Sequence, residues 1–140
     1  MPTRWTVLTA TGAGVLSVAA IAYSLASLPS PSPRSDITLV YVGAEDCAPC
    51  RKWQREDGTA FRSSGEFAHV MYREVKAPAL FDLLKDEHWP QELRRYRERL
   101  PRGAGVPLWI VLAGGEVVDQ SFGAAQWKSA VLPKIRSLLR

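Results

Sequence analysis

Cysteine is scarce in this chain: there are two in 140 residues, Cys47 and Cys50. Two cysteines cannot build the multi-bridge framework that staples a small secreted scaffold. Histidine is as scarce, with only His69 and His88 and no paired spacing between them. Four zinc ligands at metal-site spacing are not available, so no metal is expected. Basic residues outnumber acidic ones by 18 to 14, for a net charge of +4. That excess is spread along the chain, without a dense Lys/Arg stripe interleaved with aromatics, and nucleic acid is not an expected partner. No internal repeat is present, which sets aside solenoids and propellers. A chain of this length is expected to hold one domain.

Charge is absent altogether from Trp5 to Pro33. Arg4 precedes this run, and Arg34 and Asp36 follow it. Its apolar core, Val7 to Leu28, is about 22 residues and would span roughly 33 Å as a helix, enough for a bilayer core of about 30 Å. Two readings stay open for residues 1–28: an uncleaved signal anchor, and a signal peptide cleaved after Ser24-Leu25-Ala26. The length of the apolar core favours the anchor. In both readings the positive charge before the apolar run directs the rest of the chain across the membrane. Localisation is therefore expected at an inner membrane with the soluble domain in the periplasm, or in the periplasm after cleavage. Residues 29–35 alternate Pro and Ser (Leu28-Pro29-Ser30-Pro31-Ser32-Pro33). They predict an extended, semi-rigid spacer, and the folded domain spans 36–140.

Ile37 to Val42 is β-branched and aromatic, apolar on both faces, and predicts a buried strand. Gly43 to Asp46 reads as a loop. Cys47-Ala48-Pro49-Cys50 follows it, and Arg51 to Gln54 reads as helical; Pro49 suits a first helical turn, where its missing N–H does no harm. Phe67 to Val75 predicts a second strand. Leu80 to Lys85 and Gln91 to Leu100 read as helices separated by Pro90. Leu108 to Leu112 predicts a third strand, and Gly114-Gly115 a tight turn into a fourth, Glu116 to Phe122. Ala125 to Leu139 reads as a closing amphipathic helix, with Trp127, Ala130, Val131, Ile135 and Leu138 at helical spacing and Pro133 as a kink. This order implies helices around a mixed sheet.

A Cys-x-x-Cys pair placed after a buried strand and opening a helix has a redox mechanism. The first cysteine lies where unpaired N–H groups and the helix dipole stabilise a thiolate. Lowering a thiol pKa from about 8.5 to about 7 represents roughly 2 kcal/mol of preference for the charged form. The second cysteine lies one turn on, close enough to attack a mixed disulfide at the first. Arg51 adds positive charge beside the pair, and Asp46, with Glu45 before it, adds negative charge; both tune the thiol pKa.

Together with this pair, Gly105-Val106-Pro107, the strand after it, Gly114-Gly115-Glu116, a further strand, Phe122-Gly123-Ala124 and a terminal helix resemble the thioredoxin family over residues 36–140. The resemblance implies an α/β thioredoxin-like fold, a central mixed β-sheet flanked by helices and here preceded by the N-terminal hydrophobic helix. It implies that Cys47 is the attacking cysteine and Cys50 the resolving one. Pro107 matches the family's cis-proline, and Val106 the residue whose backbone pairs with extended substrate. The chain departs from the family's pattern in three places. Asp46 stands where a Trp is usual, Tyr41 where the central strand usually carries a buried Asp, and the stretch before Val106 is longer. Leu108-Trp109 after the proline differ from the Glu-Thr of the cytochrome-maturation branch.

The resemblance thus implies a thiol–disulfide oxidoreductase that needs no cofactor, and the N-terminal run implies that it is exported. It would reduce or isomerise disulfides of exported proteins and be regenerated by a membrane electron donor. The alternative is a membrane-anchored thioredoxin-fold binding or assembly module without redox turnover. Other conspicuous residues have plainer readings. His69 reads as structural within a strand, His88 as a surface residue, and Trp53 and Trp109 as core. Trp89 reads as packing or as a partner-binding aromatic, and Arg94, Arg95, Arg97 and Arg99 as a solvated helix face or a docking site for an acidic partner or lipid head groups.

Overall fold

The protein is represented by a computed structural model that describes residues 36–101 and 103–140. The segment 1–28 and the spacer 29–35 lie outside the described residues. Among the described residues no helix is long and apolar enough to cross a membrane.

Four strands form one mixed sheet in the order β2-β1-β3-β4. Strand β1 (Ile37–Ala44) runs parallel to β2 (Met71–Ala77) and antiparallel to β3 (Leu108–Ala113), which pairs antiparallel with β4 (Glu116–Phe122). Parallel pairing of β1 and β2 requires a crossover; helices α1 (Ala48–Arg55) and α2 (Asp57–Arg62) supply it. The β3–β4 hairpin turns at Gly114 and Gly115, with φ of +58° and +83°. Two successive positive φ angles favour the glycines found there.

Strand β1 is apolar on both faces because both faces are covered. Leu39 and Tyr41 point to one side with Trp109 and Val111 of β3, and pack against Trp53 of α1 and Trp127, Val131 and Ile135 of the C-terminal helix. Val40 and Val42 point to the other side with Leu108, Ile110 and Leu112, and pack against Leu83, Trp89, Leu93 and Tyr96. Those last four belong to the segment between β2 and β3, which forms the third layer. The architecture is a thioredoxin-like α/β domain.

Several expectations are corrected. Helices were expected at Leu80 to Lys85 and Gln91 to Leu100. The chain instead makes short 3-10 turns at Leu80–Asp82, Asp86–His88 and Gln91–Leu93, and one helical turn, α3 (Arg94–Arg97). Runs this short do not recover the cost of helix nucleation, and side chains take over the carbonyls. Trp89 Nε1 donates to Leu83 O at 2.7 Å, Arg94 Nε to Trp89 O at 3.2 Å, and Arg97 NH1 to Leu84 O at 3.0 Å. Arg94 and Arg97 are therefore staples rather than a solvated face, whereas Arg95 and Arg99 are exposed. Trp89 is packed, with 1% exposure. Strand β2 begins at Met71, not Phe67, because Glu66–His69 is a 3-10 turn closed by Val70 N–H on Phe67 O. That turn faces Phe67 inward, edge-on to Phe61 at 5.5 Å, and leaves His69 exposed rather than structural. Gly43 and Ala44 belong to β1, not to a loop. In the C-terminal helix, Trp127–Val131 is a π-helical turn, with Leu132 N–H on Trp127 O, followed by α4 (Leu132–Leu138). Pro133 has no N–H to give, and the widened turn directly before it accommodates that loss.

Candidate functional site

Cys47 is the N-cap of α1 and Cys50 lies in its first turn, joined to Cys47 by a disulfide with a Cα–Cα separation of 5.2 Å. The backbone N–H of Cys50 donates to Cys47 Sγ at 3.2 Å. An N-cap ordinarily accepts such a bond through oxygen. Here sulfur does so, and the same donor would hold a thiolate once the disulfide is reduced. Pro49 occupies the second helical position, where no backbone donor is lost. Cys47 keeps 5% exposure against 1% for Cys50, so Cys47 is the more exposed residue of the pair.

Beneath the pair lies an aromatic cluster. Tyr41 stacks on Trp53 with centroids 4.7 Å apart and 15° between the planes, and Trp53 meets Trp109 edge-on at 5.4 Å. Trp53 and Trp109 are core residues, as their sequence context suggested. The Tyr41 hydroxyl donates to Cys50 O at 3.4 Å. Burial raises the Tyr41 pKa, against a lowering by its hydrogen bond with Gln54. Tyr41 is therefore a neutral hydroxyl. Gln54 Nε2 in turn donates to Glu74 Oε1 at 3.3 Å. Burial works to raise the Glu74 pKa, but bonds from Tyr72, Lys76 and Gln54 outweigh it and the carboxyl ends below its ordinary value.

The peptide bond between Val106 and Pro107 is cis. Val106 is half-buried at the junction of the two core layers, and Pro107 is buried, its carbonyl taking Gly123 N–H at 2.8 Å. Val106, Cys47, Pro49 and Asp46 line one cavity of about 750 Å³. Arg51 does not line this cavity; it lines a separate, smaller one with Tyr41 and Cys50, and its NH1 donates to Glu45 O. The structure thus brings Cys47, Asp46 and Val106 together around one cavity and Cys50 and Arg51 around another. Sequence reasoning missed several other residues of the larger cavity's lining, among them Leu80, Leu83, Leu84 and Leu100 with Arg97. The spacing of leucines at 80, 83 and 84 suggested a helix face; nothing local to them indicates that the face meets Cys47.

Neither a protein-family model nor a curated relative matches the chain. Among solved structures, it is similar to oxidised thioredoxin from Plasmodium falciparum, with 17% identity and a TM-score of 0.48 over 75% of this chain and 83% of that one. It is also similar to thioredoxin Mala s 13 from Malassezia sympodialis, with 14% identity and a TM-score of 0.49 over 72% of this chain and 79% of that one. The periplasmic thioredoxin SoxS from Paracoccus pantotrophus matches with 14% identity and a TM-score of 0.48, over 74% of this chain and 99% of that one. Identities this low say nothing of substrate or partner.

Proposed function

We propose that this thioredoxin-like domain is a thiol–disulfide oxidoreductase that reduces or isomerises disulfides of exported proteins. The observation that carries the reading is Cys47 as the N-cap of α1, accepting the N–H of Cys50 at 3.2 Å while bonded to it through sulfur. In the reduced protein the Cys47 thiolate attacks one sulfur of a substrate disulfide. The substrate S–S bond breaks, a mixed disulfide forms on Cys47, and the other substrate sulfur leaves as a thiolate. Cys50 Sγ, as thiolate, then attacks Cys47 Sγ. The Cys47–Cys50 bond forms, the mixed disulfide breaks, and the second substrate sulfur leaves. Two electrons pass to the substrate and two protons come from the dithiol. A dithiol donor restores the reduced state by the same exchange in reverse; the uncharged run at the N-terminus supports a membrane protein in that role.

Val106, beside Cys47 at the mouth of the larger cavity, is proposed to pair its backbone with extended substrate. Asp46 and Arg51 are proposed to set the thiol pKa in opposite directions. The domain is proposed to work on the far side of an inner membrane.

The test uses two variants and a small disulfide. Cys47→Ser abolishes its reduction. Cys50→Ser leaves Cys47 reactive and accumulates mixed disulfides, from which trapped substrates are identified. Wild-type protein that turns over no disulfide is instead a binding or assembly module, and faster alkylation of Cys50 than of Cys47 at neutral pH reverses the two roles.

A further inference from the structure

The cavity of about 750 Å³ beside Cys47 has two walls from the redox site and a third from the segment between β2 and β3. That third wall is Leu80, Leu83, Leu84 and Leu100. Leu83 also anchors the second core layer, but Leu80 and Leu84 remain 47% and 61% exposed, and Phe81 between them 83%. Leu80 and Leu84 are thus left largely uncovered in the wall of a cavity that Cys47 also lines, with exposed Phe81 between them in the chain. The cavity's charged groups among the described residues are already engaged. Asp46 Oδ1 takes the N–H of Leu80 at 3.0 Å, and Arg97 NH1 is bonded to Leu84 O at 3.0 Å and to Asp86 Oδ1. Both are tied to the backbone of this segment, and the leucines themselves present only hydrocarbon to the cavity. An occupant must therefore be apolar where it meets the leucines. Because Cys47 is part of the wall, the occupant is also held against the disulfide.

We propose that Leu80, Leu84 and Leu100 form a side-chain subsite for polypeptide substrates, accepting a large aliphatic or aromatic residue close to the substrate's reacting cysteine. This rests on the oxidoreductase reading and adds to it a preference. A disulfide whose cysteine is flanked by Leu or Phe is chosen over one flanked by Ser. The contact is uniform binding, present before and during sulfur exchange, so it acts through KM.

The experiment compares two synthetic peptides, identical except for Leu or Ser beside a cysteine held in a disulfide, with bis(2-hydroxyethyl) disulfide as the small substrate. The wild type is expected to favour the Leu peptide about tenfold or more in kcat/KM, the range that burying one such side chain produces. Leu84→Ser and Leu80→Ser, both at exposed positions, bring the ratio toward one. Leu84→Met, which keeps an apolar side chain of similar volume, retains the preference. A wild-type ratio near one, with the small disulfide still reduced, overturns the subsite and leaves the oxidoreductase reading standing. A preference that survives both serine variants overturns its location. Equal peptide rates with self-association that Leu84→Ser abolishes assign the face to a second copy of this chain and also overturn the proposal. Failure to reduce even the small disulfide overturns both readings.

Discussion

The carboxylate of Asp46 accepts the backbone N–H of Leu80 at 3.0 Å, across 34 residues of chain. Leu80 opens the 3-10 turn Leu80–Asp82, whose first N–H groups have no partner within the turn. Asp46 satisfies one of them as a cap would. The residue before Cys47 thus fastens the third layer to the loop that carries the disulfide.

Charge and hydrogen bond at Asp46 can be separated. Asp46→Asn keeps an oxygen for Leu80 N–H, whereas Asp46→Ala removes it, at a cost of about 0.5–2 kcal/mol for a lost cap. Asp46→Ala should accelerate amide hydrogen exchange over residues 80–84, and Asp46→Asn should leave it near the wild-type rate. Unchanged exchange in Asp46→Ala would show that Leu83 and Trp89 hold the segment without this bond.

Gly43 is required by Tyr41. A Cβ on Gly43 would lie 2.3 Å from the Tyr41 hydroxyl oxygen and 2.8 Å from its Cζ. Tyr41 cannot retreat, since it is 1% exposed and stacked on Trp53. Gly43→Ala should lower stability by about 1–3 kcal/mol, the usual cost of overpacking a core. Tyr41→Phe should recover part of that loss by removing the oxygen. Urea unfolding of both single variants and the double variant gives the coupling, and additive losses would contradict the clash.

The turn Glu66–His69 is tied to α4 by an ion pair, Arg136 Nε to Glu66 Oε1 at 2.7 Å. The Arg136 hydrogen bond, then a backbone N–H and Ser64, lower the Glu66 pKa from 4.5 to about 2. A carboxyl whose folded pKa is depressed stabilises the fold above its unfolded value, and that contribution fades as protons bind. The contribution is therefore complete above pH 4.5 and lost between pH 4.5 and about 2. The stability difference between wild type and Glu66→Gln should shrink across that window and should diminish in high salt. A difference independent of pH from 2 to 5 would sink the assignment.

For the N-terminal segment the uncharged run Trp5 to Pro33 sets the expectation. Full-length protein should remain in the membrane fraction after alkaline carbonate washing. A soluble form beginning near Ser27 would identify a cleaved signal peptide instead.

What the sequence made legible follows the range of the forces involved. Strands β1 and β3 were visible because each is an unbroken apolar run, and the hairpin because Gly114-Gly115 demands positive φ. The redox loop was visible because Cys47, Pro49 and Cys50 are local to one helical turn. The third layer was not. Leu80, Leu83 and Leu84 have helical spacing, but their backbone is shaped by bonds from Trp89, Arg94 and Arg97 and by the distant Asp46. Phe67 misled in the opposite sense: an apolar residue beside a β-branched run suggests strand, yet its ring is drawn back to Phe61 by a turn.

Redox poise depends on how the charges around Cys47 balance. The N–H of Cys50 points at Cys47 Sγ and favours a thiolate. Asp46 directly precedes Cys47 and shares its cavity, with Glu45 one residue further back. Negative charge near a thiolate disfavours it. Arg51 opposes them, but it lines a different cavity, with a guanidinium nitrogen on the Glu45 carbonyl. The reduced form of such a site is stabilised largely through its thiolate. Weakening the thiolate makes the disulfide relatively more stable and moves the potential toward the reducing end. The wild type is therefore expected near or below the roughly −270 mV of thioredoxin, as a reductant, and away from the roughly −120 mV of strong oxidants. Asp46→Asn, which keeps the bond to Leu80, should lower the Cys47 pKa by less than about one unit for a solvent-screened neighbour and make the protein slightly more oxidising. Alkylation rates against pH give the pKa, and equilibration with glutathione gives the potential. A wild-type value close to −120 mV would mean that the carboxylates do not set the poise and that the site is built to oxidise.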